Sequence, residues 1–218
     1  MSKENEKTLE VYNQTANIYL SQTNELEKLE PIKIKKKQQE LEALIKNSFS
    51  SLSWDAKVFE IGSGDGVNAK IIKNLGFNLT ASDVAPDFIN NLHVLGINAI
   101  KFNVLEDDFT DKYDAVFCWR VFVHFTKEDA LKVIKKVYNA LKDNGIFIFN
   151  AMNCEGQILD NEWVDFEGEL HMGVERYYNY FYQKDLDDMI KETSFKVINF
   201  YTSGGKNNNK WLIYVLKK

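Results

Sequence analysis

The chain has 218 residues, a formal net charge of -5 and a pI near 5.4, so a broad basic surface for nucleic acid is not expected. Hydrophobic residues make up 44% and aromatic residues 13%, which excludes a disordered chain and suits one globular domain. No apolar run reaches the roughly 20 residues of a membrane span, and the polar start lacks the apolar core of a signal peptide. We therefore expect a cytoplasmic protein without a membrane partner.

The two cysteines, Cys118 and Cys154, lie near the ends of apolar segments and far from each other in sequence. This pattern is typical of small core residues in a reducing compartment. A structural zinc site would need four Cys or His ligands at short spacings. We therefore expect no metal site.

Residues 1–50 are predicted to form two helices before the first strand. Apolar residues of the first helix recur at three- and four-residue steps, namely Leu9, Tyr12, Ala16, Tyr19 and Leu20. Pro31 begins the second helix, which runs towards Phe49. Spacing alone favours a packing role for the two tyrosines.

The segment 57–66, KVFEIGSGDG, predicts a buried strand that ends in a glycine turn, and the helical pattern after it stops at Gly76. Glycines allow turn conformations closed to other residues, and the free N–H groups of a helix start favour an anionic or polar ligand. The dinucleotide fingerprint G-x-G-x-x-G would require glycine at position 67, where the chain has Val67. The turn predicts a nucleotide site of another type, with an ordinary βα turn as the alternative.

A second short strand over residues 78–82 is followed by Asp83, about 20 residues beyond the turn. The intervening helix returns the chain for parallel pairing in a right-handed βαβ unit. An acid at this position can accept hydrogen bonds from both ribose hydroxyls of a nucleotide. The alternative is that Asp83 caps the helix that begins near Pro86.

The remaining apolar runs complete an α/β sheet. Further strands are predicted over residues 99–102, 112–119, 146–150, 195–201 and 211–216. The last two have a connection too short for a crossover, so they must be antiparallel. The prediction is a doubly wound, seven-stranded, mostly parallel sheet with helices on both faces and a final antiparallel hairpin. Residues 151–176 are expected to be irregular, and residues 177–182 to form a strand or aromatic wall.

The motif Glu60-x-Gly62-x-Gly64-x-Gly66, then Asp83, and then the pattern YDAV…H…L…ALKDNG-IFIF strongly resemble class I S-adenosylmethionine (SAM) methyltransferases. The resemblance implies a Rossmann-like fold, SAM as cofactor, a helical cover over residues 1–50 and a methyltransferase domain over residues 51–218. It implies cofactor contacts by Tyr12, Tyr19, Glu60, Gly62, Ser63, Gly64, Asp65, Asp83, Val84, Asn103, Val104, Leu105 and Trp119. Asn103 departs from the acidic adenine contact usual in the family, although its side-chain oxygen can still accept a hydrogen bond. Asp107 and Asp108 are the nearby alternatives for this contact, unless they are simply loop acids.

The implied reaction is transfer of the SAM methyl group to a nucleophilic N or O atom of a small molecule. His124 is the candidate general base because it titrates near neutral pH and follows the fourth strand, and a packing histidine is the alternative. Arg120 is the candidate for an anionic substrate group, unless it pairs with a loop acid. Besides these two residues, substrate contacts are expected from Asn153, Tyr178, Tyr180, Asn207 and Asn209. The alternative for the two loop asparagines is a solvated turn, and the alternative for the tyrosines is packing in the core.

Two other functions are weighed against this one. A nicotinamide-dependent reductase would share the parallel sheet, but its fingerprint fails at Val67 and its fold lacks the final hairpin. A non-catalytic SAM-binding or scaffold protein stays open, because binding residues do not prove turnover. The oligomeric state is left open by the sequence.

Overall fold

The computed structural model describes residues 1–156, 160–165, 173–204 and 210–218. The helices are α1 (Lys3–Leu29), α2 (Pro31–Ser48), α3 (Val67–Asn74), α4 (Pro86–Val94), α5 (Lys127–Ala140) and α6 (Gln183–Lys191). The strands are β1 (Lys57–Ile61), β2 (Asn78–Asp83), β3 (Ala99–Lys101), β4 (Tyr113–Cys118), β5 (Leu141–Asn153), β6 (Asn161–Val164), β7 (Arg176–Phe181), β8 (Lys196–Ser203) and β9 (Trp211–Lys217). A single turn of 3-10 helix spans Phe122–His124.

Five parallel strands form the centre of the sheet in the order β3-β2-β1-β4-β5. Strand β9 pairs antiparallel with β5, and β8 pairs antiparallel with β9. The predicted mostly parallel sheet with a final antiparallel hairpin is therefore confirmed. Strand β8 runs in the same direction as β1 to β5, so all six end along one edge of the sheet.

The segment 151–176, predicted to be irregular, contributes two strand segments. Residues Ala151 to Asn153 extend β5, and β6 pairs antiparallel with β7. Strand β7 adds to the end of β5, where Met152 lies opposite Tyr180. Because β4 already ends opposite Phe149 and β9 occupies the other side of β5, the β6–β7 pair lies beyond the carboxyl end of β4. The sheet thereby gains a wall beside the edge where ligands bind in open α/β sheets.

Alternate side chains of the central strands fill two apolar cores, one on each face. Val116 and Phe147 pack with Val133 of α5 on one face. Phe117 and Ile148 point to the other face, where side chains of α2, α3 and α4 cover them. Burial on both faces explains the nearly continuous apolar sequence of β4 and β5.

Helix α1 lies outside these cores, against α4, β7 and the 3-10 helix. Its buried positions are Asn5, Thr8, Val11, Thr15 and Ala16. The predicted apolar stripe is therefore only partly buried, and polar side chains take much of its place. The reason is long-range hydrogen bonding: Asn5 Nδ2 donates to the His124 carbonyl (3.3 Å), and Thr8 Oγ1 accepts from the Tyr177 N–H (3.2 Å). These contacts hold α1 over the carboxyl edge of the sheet.

Candidate cofactor and active site

The glycine turn between β1 and α3 adopts backbone conformations that favour glycine. Gly62, Gly64 and Gly66 have φ angles of 70°, 51° and 84°. A Cβ on Gly62 would lie 2.4 Å from Val121 Cγ2, whereas a Cβ on Gly64 would meet no heavy atom within 4 Å. The turn is therefore packed at Gly62 and open at Gly64.

Asp83 lies directly opposite this turn at the end of β2. Its Oδ2 accepts a hydrogen bond from the Gly64 N–H (2.9 Å), and its Oδ1 accepts from Val84 (2.8 Å) and Ala85 (3.1 Å). Burial raises the pKa of the carboxyl group, and the three amides oppose that shift. The Ala85 contact supports the helix-start alternative, since Ala85 immediately precedes α4. A carboxylate has about four acceptor sites, so one remains for a ligand hydroxyl.

Glu60 and Ser63 form the buried floor of the turn. Ser63 Oγ donates to Glu60 Oε2 (2.7 Å) and accepts from the Ser82 N–H (3.2 Å), which ties β1 to β2. Glu60 Oε1 has no hydrogen-bond partner among the described residues. Burial raises the pKa of Glu60 to about 8, so its carboxyl group is largely protonated at neutral pH. The fixed position of Ser63 favours a structural contribution over direct ligand contact.

Other predicted cofactor residues lie in the loops that follow β1 and β3. Asp65 Oδ1 accepts from the Val67 N–H (3.1 Å), and Asn103 Oδ1 accepts from the Leu105 N–H (3.1 Å). The Asn103 oxygen assigned to adenine thus already has one bond, with a second lone pair left. Val104 is buried in the core, and Leu105 packs against the same cluster.

Trp119 follows β4, and its ring stacks on Phe117 with centroids 5.6 Å apart. It packs against the core on the α2, α3 and α4 side of the sheet. Trp119 was predicted to contact the cofactor, and the structure shows that its ring also packs against the core.

Tyr12 and Tyr19 of α1 both pack against Phe88 of α4, with ring centroids 6.3 and 5.6 Å from it. Ala85 belongs to the same small cluster and follows Asp83 closely. The two tyrosines thus lie beside the predicted ribose position. Their packing and a cofactor contact are compatible, because a phenol buries its ring and keeps a polar tip.

His124 makes hydrogen bonds through both ring nitrogens. Nδ1 lies 2.8 Å from the Tyr177 carbonyl, which can only accept, so Nδ1 carries the proton of the neutral ring. Nε2 therefore accepts from the Tyr12 hydroxyl at 2.9 Å. Burial lowers the pKa of His124 to about 4. These contacts argue against direct proton abstraction by His124 and favour the alternative that it is a packing residue. Its hydrogen bond to Tyr12 adds a polar contact to that packing role.

Arg120 and Arg176 bring two guanidinium groups to this region. Arg120 follows β4 with a φ of 61°, and its N–H donates to the buried Asn150 Oδ1 at 2.6 Å. Arg176 begins β7 and lies near the rings of Tyr12 and Tyr178. Sequence reasoning did not assign Arg176 a role, although arginine is rare in this lysine-rich chain.

The remaining predicted substrate residues are less uniform in position. Tyr178 contacts the His124 ring, with centroids 5.1 Å apart. The Tyr180 hydroxyl donates to Glu162 of β6, and Asn153 Oδ1 accepts from the Glu155 N–H (3.1 Å). Asn207 and Asn209 lie outside the described residues. Tyr178 thus contacts the His124 ring directly.

The described residues fit the group that the resemblance implies. The open side of Gly64 leaves room for a ligand, Asp83 keeps an acceptor site, and Glu60 Oε1 is buried without a partner in the described part of the chain. Within the described part of the chain, no group of three or more His, Cys, Asp or Glu side chains is arranged to hold a metal ion.

The family model described as "Methyltransferase domain" matches residues 32–199. The ubiquinone biosynthesis O-methyltransferase of Rickettsia bellii (strain OSU 85-389) is 25% identical over 164 residues, covering 70% of this chain and 65% of the relative. The glycine/sarcosine N-methyltransferase of Parasynechococcus marenigrum is 27% identical over 108 residues, covering 45% and 38%. The chain thus spans less than two thirds of the length of these curated relatives.

Solved structures share the whole fold. An S-adenosylmethionine-dependent methyltransferase from Clostridium acetobutylicum has a TM-score of 0.69 at 16% identity, covering 94% of this chain and 98% of that one. A magnesium protoporphyrin IX methyltransferase from Synechocystis with bound SAM has a TM-score of 0.73 at 12% identity, covering 100% and 98%. With the family model matching most of its length, this chain belongs to the methyltransferase domain family.

Proposed function

We propose that the protein transfers the methyl group of SAM to a nucleophilic N or O atom of a small molecule. The observation that carries this proposal is the pairing of the open glycine turn with Asp83 at the carboxyl ends of β1 and β2. Membership of the methyltransferase domain family supports it. The O- and N-methyltransferase names of the two relatives support oxygen or nitrogen as the acceptor atom.

In this proposal the chain holds SAM through backbone and carboxylate groups. The turn at Gly62 and Gly64 approaches the methionine and ribose parts, and Asp83 accepts a ribose hydroxyl. Glu60, neutral at pH 7, supports the turn from below through Ser63. Asn103 accepts from the adenine amino group through its second lone pair.

Residues 1–50 act as a helical cover on a methyltransferase domain formed by residues 51–218. The hydrogen bonds of α1 with His124 and Tyr177 support a separable cover. Less free energy is needed to break such hydrogen bonds than to separate an apolar core. A cover that closes over bound ligands excludes water and orients the acceptor.

SAM supplies an activated methyl group, so the protein's main contribution is to position the acceptor. We assign the Tyr12 hydroxyl to the acceptor side of the crevice, since it lies between His124 Nε2 and Arg176 Nη1 (3.5 Å). His124 acts as a positioning residue that fixes the direction of this hydroxyl. The proton released by the acceptor then passes to solvent or to a group of the substrate.

We further propose a cytoplasmic location and a small-molecule partner. Cys118 and Cys154 are both buried and are not joined in a disulfide, which suits a reducing compartment. Among the described helices, none has the length and apolar character needed to cross a membrane.

A methyl-transfer assay tests the proposed function. The full chain is incubated with SAM carrying a labelled methyl group and a panel of amines, phenols and carboxylates. Transfer of label by the wild type, reduced in Asp83→Ala, is the expected result. SAM binding without transfer to any acceptor would instead favour the non-catalytic SAM-binding alternative.

A further inference from the structure

The backbone is strained at Arg120, in the corner (residues 119–121) that joins β4 to the 3-10 helix. Among the described residues, Arg120 and Asn144 are the two non-glycine residues with positive φ, at 61° and 64°. Asparagine adopts this left-handed region more readily than other residues that carry a Cβ. Glycine would fit the corner without strain, so the presence of arginine indicates that a side chain is needed here.

The side chain of Arg120 faces the ligand edge of the sheet. It is exposed, and its guanidinium lies 5.8 Å from the Trp211 ring centroid. Burial raises the pKa of Asp65 in the glycine turn, and the Arg120 charge is among the effects that oppose this rise. The corner therefore contributes a cation beside the turn. Strained residues of this kind cluster at functional sites, where the surrounding structure enforces them.

Asn150 of β5 holds the corner from the amino-terminal side of Arg120. Its side chain is buried, with 1% of the residue exposed, and its Oδ1 accepts from the Arg120 N–H at 2.6 Å. Phe149 pairs with Cys118, the last residue of β4, so Asn150 lies just beyond the end of that strand. The hydrogen bond therefore fixes the peptide group that precedes Arg120.

The 3-10 helix holds the corner from the other side. The His124 N–H donates to the Val121 carbonyl (2.9 Å), and the Phe125 N–H donates to the Phe122 carbonyl (3.1 Å). The Phe122 side chain is fully buried in the core. Because the peptide groups on both sides of Arg120 are fixed, its φ stays positive.

Val121, the next residue, connects the corner to the glycine turn. A Cβ on Gly62 would lie 2.4 Å from Val121 Cγ2, so this methyl group packs directly on the backbone of Gly62. The position of Val121 therefore limits the conformations that are open to the turn. A continuous series of contacts runs from the Asn150 side chain through residues 120 and 121 to Gly62.

We propose that Asn150 is a positioning residue for SAM binding, because it holds Arg120 in the left-handed conformation and thereby keeps Val121 packed on Gly62. This inference rests on the proposed function and adds a residue to its cofactor site. Without the Asn150 bond, Arg120 relaxes to negative φ in most molecules. SAM then binds the minority that keeps the strained corner, and its apparent affinity falls by that fraction.

A set of paired substitutions tests this relation by calorimetric titration with S-adenosylhomocysteine. Asn150→Ala alone should weaken binding about tenfold, the order expected when a residue with a Cβ must be returned to positive φ. Combined with Arg120→Gly, the same change should weaken binding about twofold or less, because glycine adopts positive φ readily. Combined with Arg120→Ala, which removes the guanidinium but keeps the Cβ, it should again cost about tenfold. Equal losses in the Arg120→Gly and Arg120→Ala backgrounds would overturn the proposal.

Hydrogen exchange of residues 62–66 in the protein without ligand provides a second readout. Asn150→Ala should speed exchange in the turn, and addition of Arg120→Gly should restore the wild-type rate. Asn144→Ala is the matched control, since it changes the other strained residue, near the start of β5. It should lower stability and leave both the turn exchange and the affinity unchanged. Effects on the turn as large as those of Asn150→Ala would reduce the role of Asn150 to general stability and overturn the proposal.

Two further outcomes are also decisive. If Asn150→Ala does not fold, addition of Arg120→Gly should restore folding, because the strain is removed. Failure of that pair to fold would also assign Asn150 to general stability and overturn the proposal. If the wild type binds neither SAM nor S-adenosylhomocysteine, the proposed function is overturned, and exchange in the turn still decides whether Asn150 positions Gly62.

Discussion

Replacing Gly62 and Gly64 by alanine separates packing from ligand binding in the glycine turn. Both residues have positive φ, so each substitution costs about 1–2 kcal/mol of backbone strain. Only the Gly62 substitution also places a Cβ 2.4 Å from Val121 Cγ2, which adds about 1–3 kcal/mol of overpacking. We therefore expect Gly62→Ala to lower the free energy of unfolding by about 2–5 kcal/mol and Gly64→Ala by about 1–2 kcal/mol.

Two assays measure these effects. Chemical denaturation gives the free energy of unfolding, and each kcal/mol should also lower Tm by about 2–4 °C in a chain of this length. Calorimetry gives SAM affinity, which should fall about tenfold or more in Gly64→Ala, because the new methyl group enters the open space assigned to the cofactor. Adding Val121→Ala should recover the overpacking part of the Gly62→Ala loss and leave the backbone strain.

Wild-type SAM affinity in a folded Gly64→Ala variant would show that the cofactor does not approach this glycine. Equal destabilisation by the two substitutions, with no recovery on adding Val121→Ala, would show that contact with Val121 does not constrain position 62.

Three further predictions concern single side chains. Asp83→Ala should weaken SAM binding by about 1–3 kcal/mol in calorimetry, because a ribose hydroxyl loses its acceptor. Burial raises the pKa of Glu60 from an ordinary 4.5 to about 8, so the free energy of unfolding of the wild type should fall as pH rises between those values. Glu60→Gln should show a smaller fall when the free energy of unfolding is measured by chemical denaturation at a series of pH values. Tyr12→Phe removes the hydroxyl bonded to His124 and should speed hydrogen exchange in α1.

The stability of the protein also depends on pH through His124. Its pKa of about 4 lies below the ordinary 6.5, so its contribution to stability is lost as pH falls through that window, opposite in sign to Glu60. Denaturation between about pH 6.5 and 8 therefore isolates Glu60, and a flat wild-type profile in that window would contradict the buried neutral carboxyl. Unchanged SAM affinity in folded Asp83→Ala would remove the ribose assignment. Unchanged exchange in Tyr12→Phe would mean that this bond does not hold α1 closed.

The central sheet could be predicted from sequence because its signals are local. Strand β1 ends in glycines, Asp83 follows β2, and β8 and β9 are joined by a connection too short for a crossover. Strand β6 could not be predicted from the sequence, because it has four residues and its strand conformation depends on pairing with β7. Its sequence alone carries no alternation long enough to predict a strand.

The position of α1 and the contacts around His124 could not be predicted from the sequence, because they depend on residues far apart in the chain. The buried Thr8 and Asn5 of α1 find their partners in residues more than one hundred positions away. His124 looked like a titrating base by type and position, whereas burial and the nearby Arg176 charge lower its pKa and keep the ring neutral. Sequence spacing could not predict either effect, since both arise when α1 folds back over the sheet.

A calorimetric titration of the full chain with SAM, and separately with NAD, tests the central claim most directly. The account predicts one SAM site of micromolar affinity, the usual order for a metabolite site, and no binding of NAD. NAD binding in place of SAM would contradict the assignment of the glycine turn and of Asp83 to a methyl-donor cofactor.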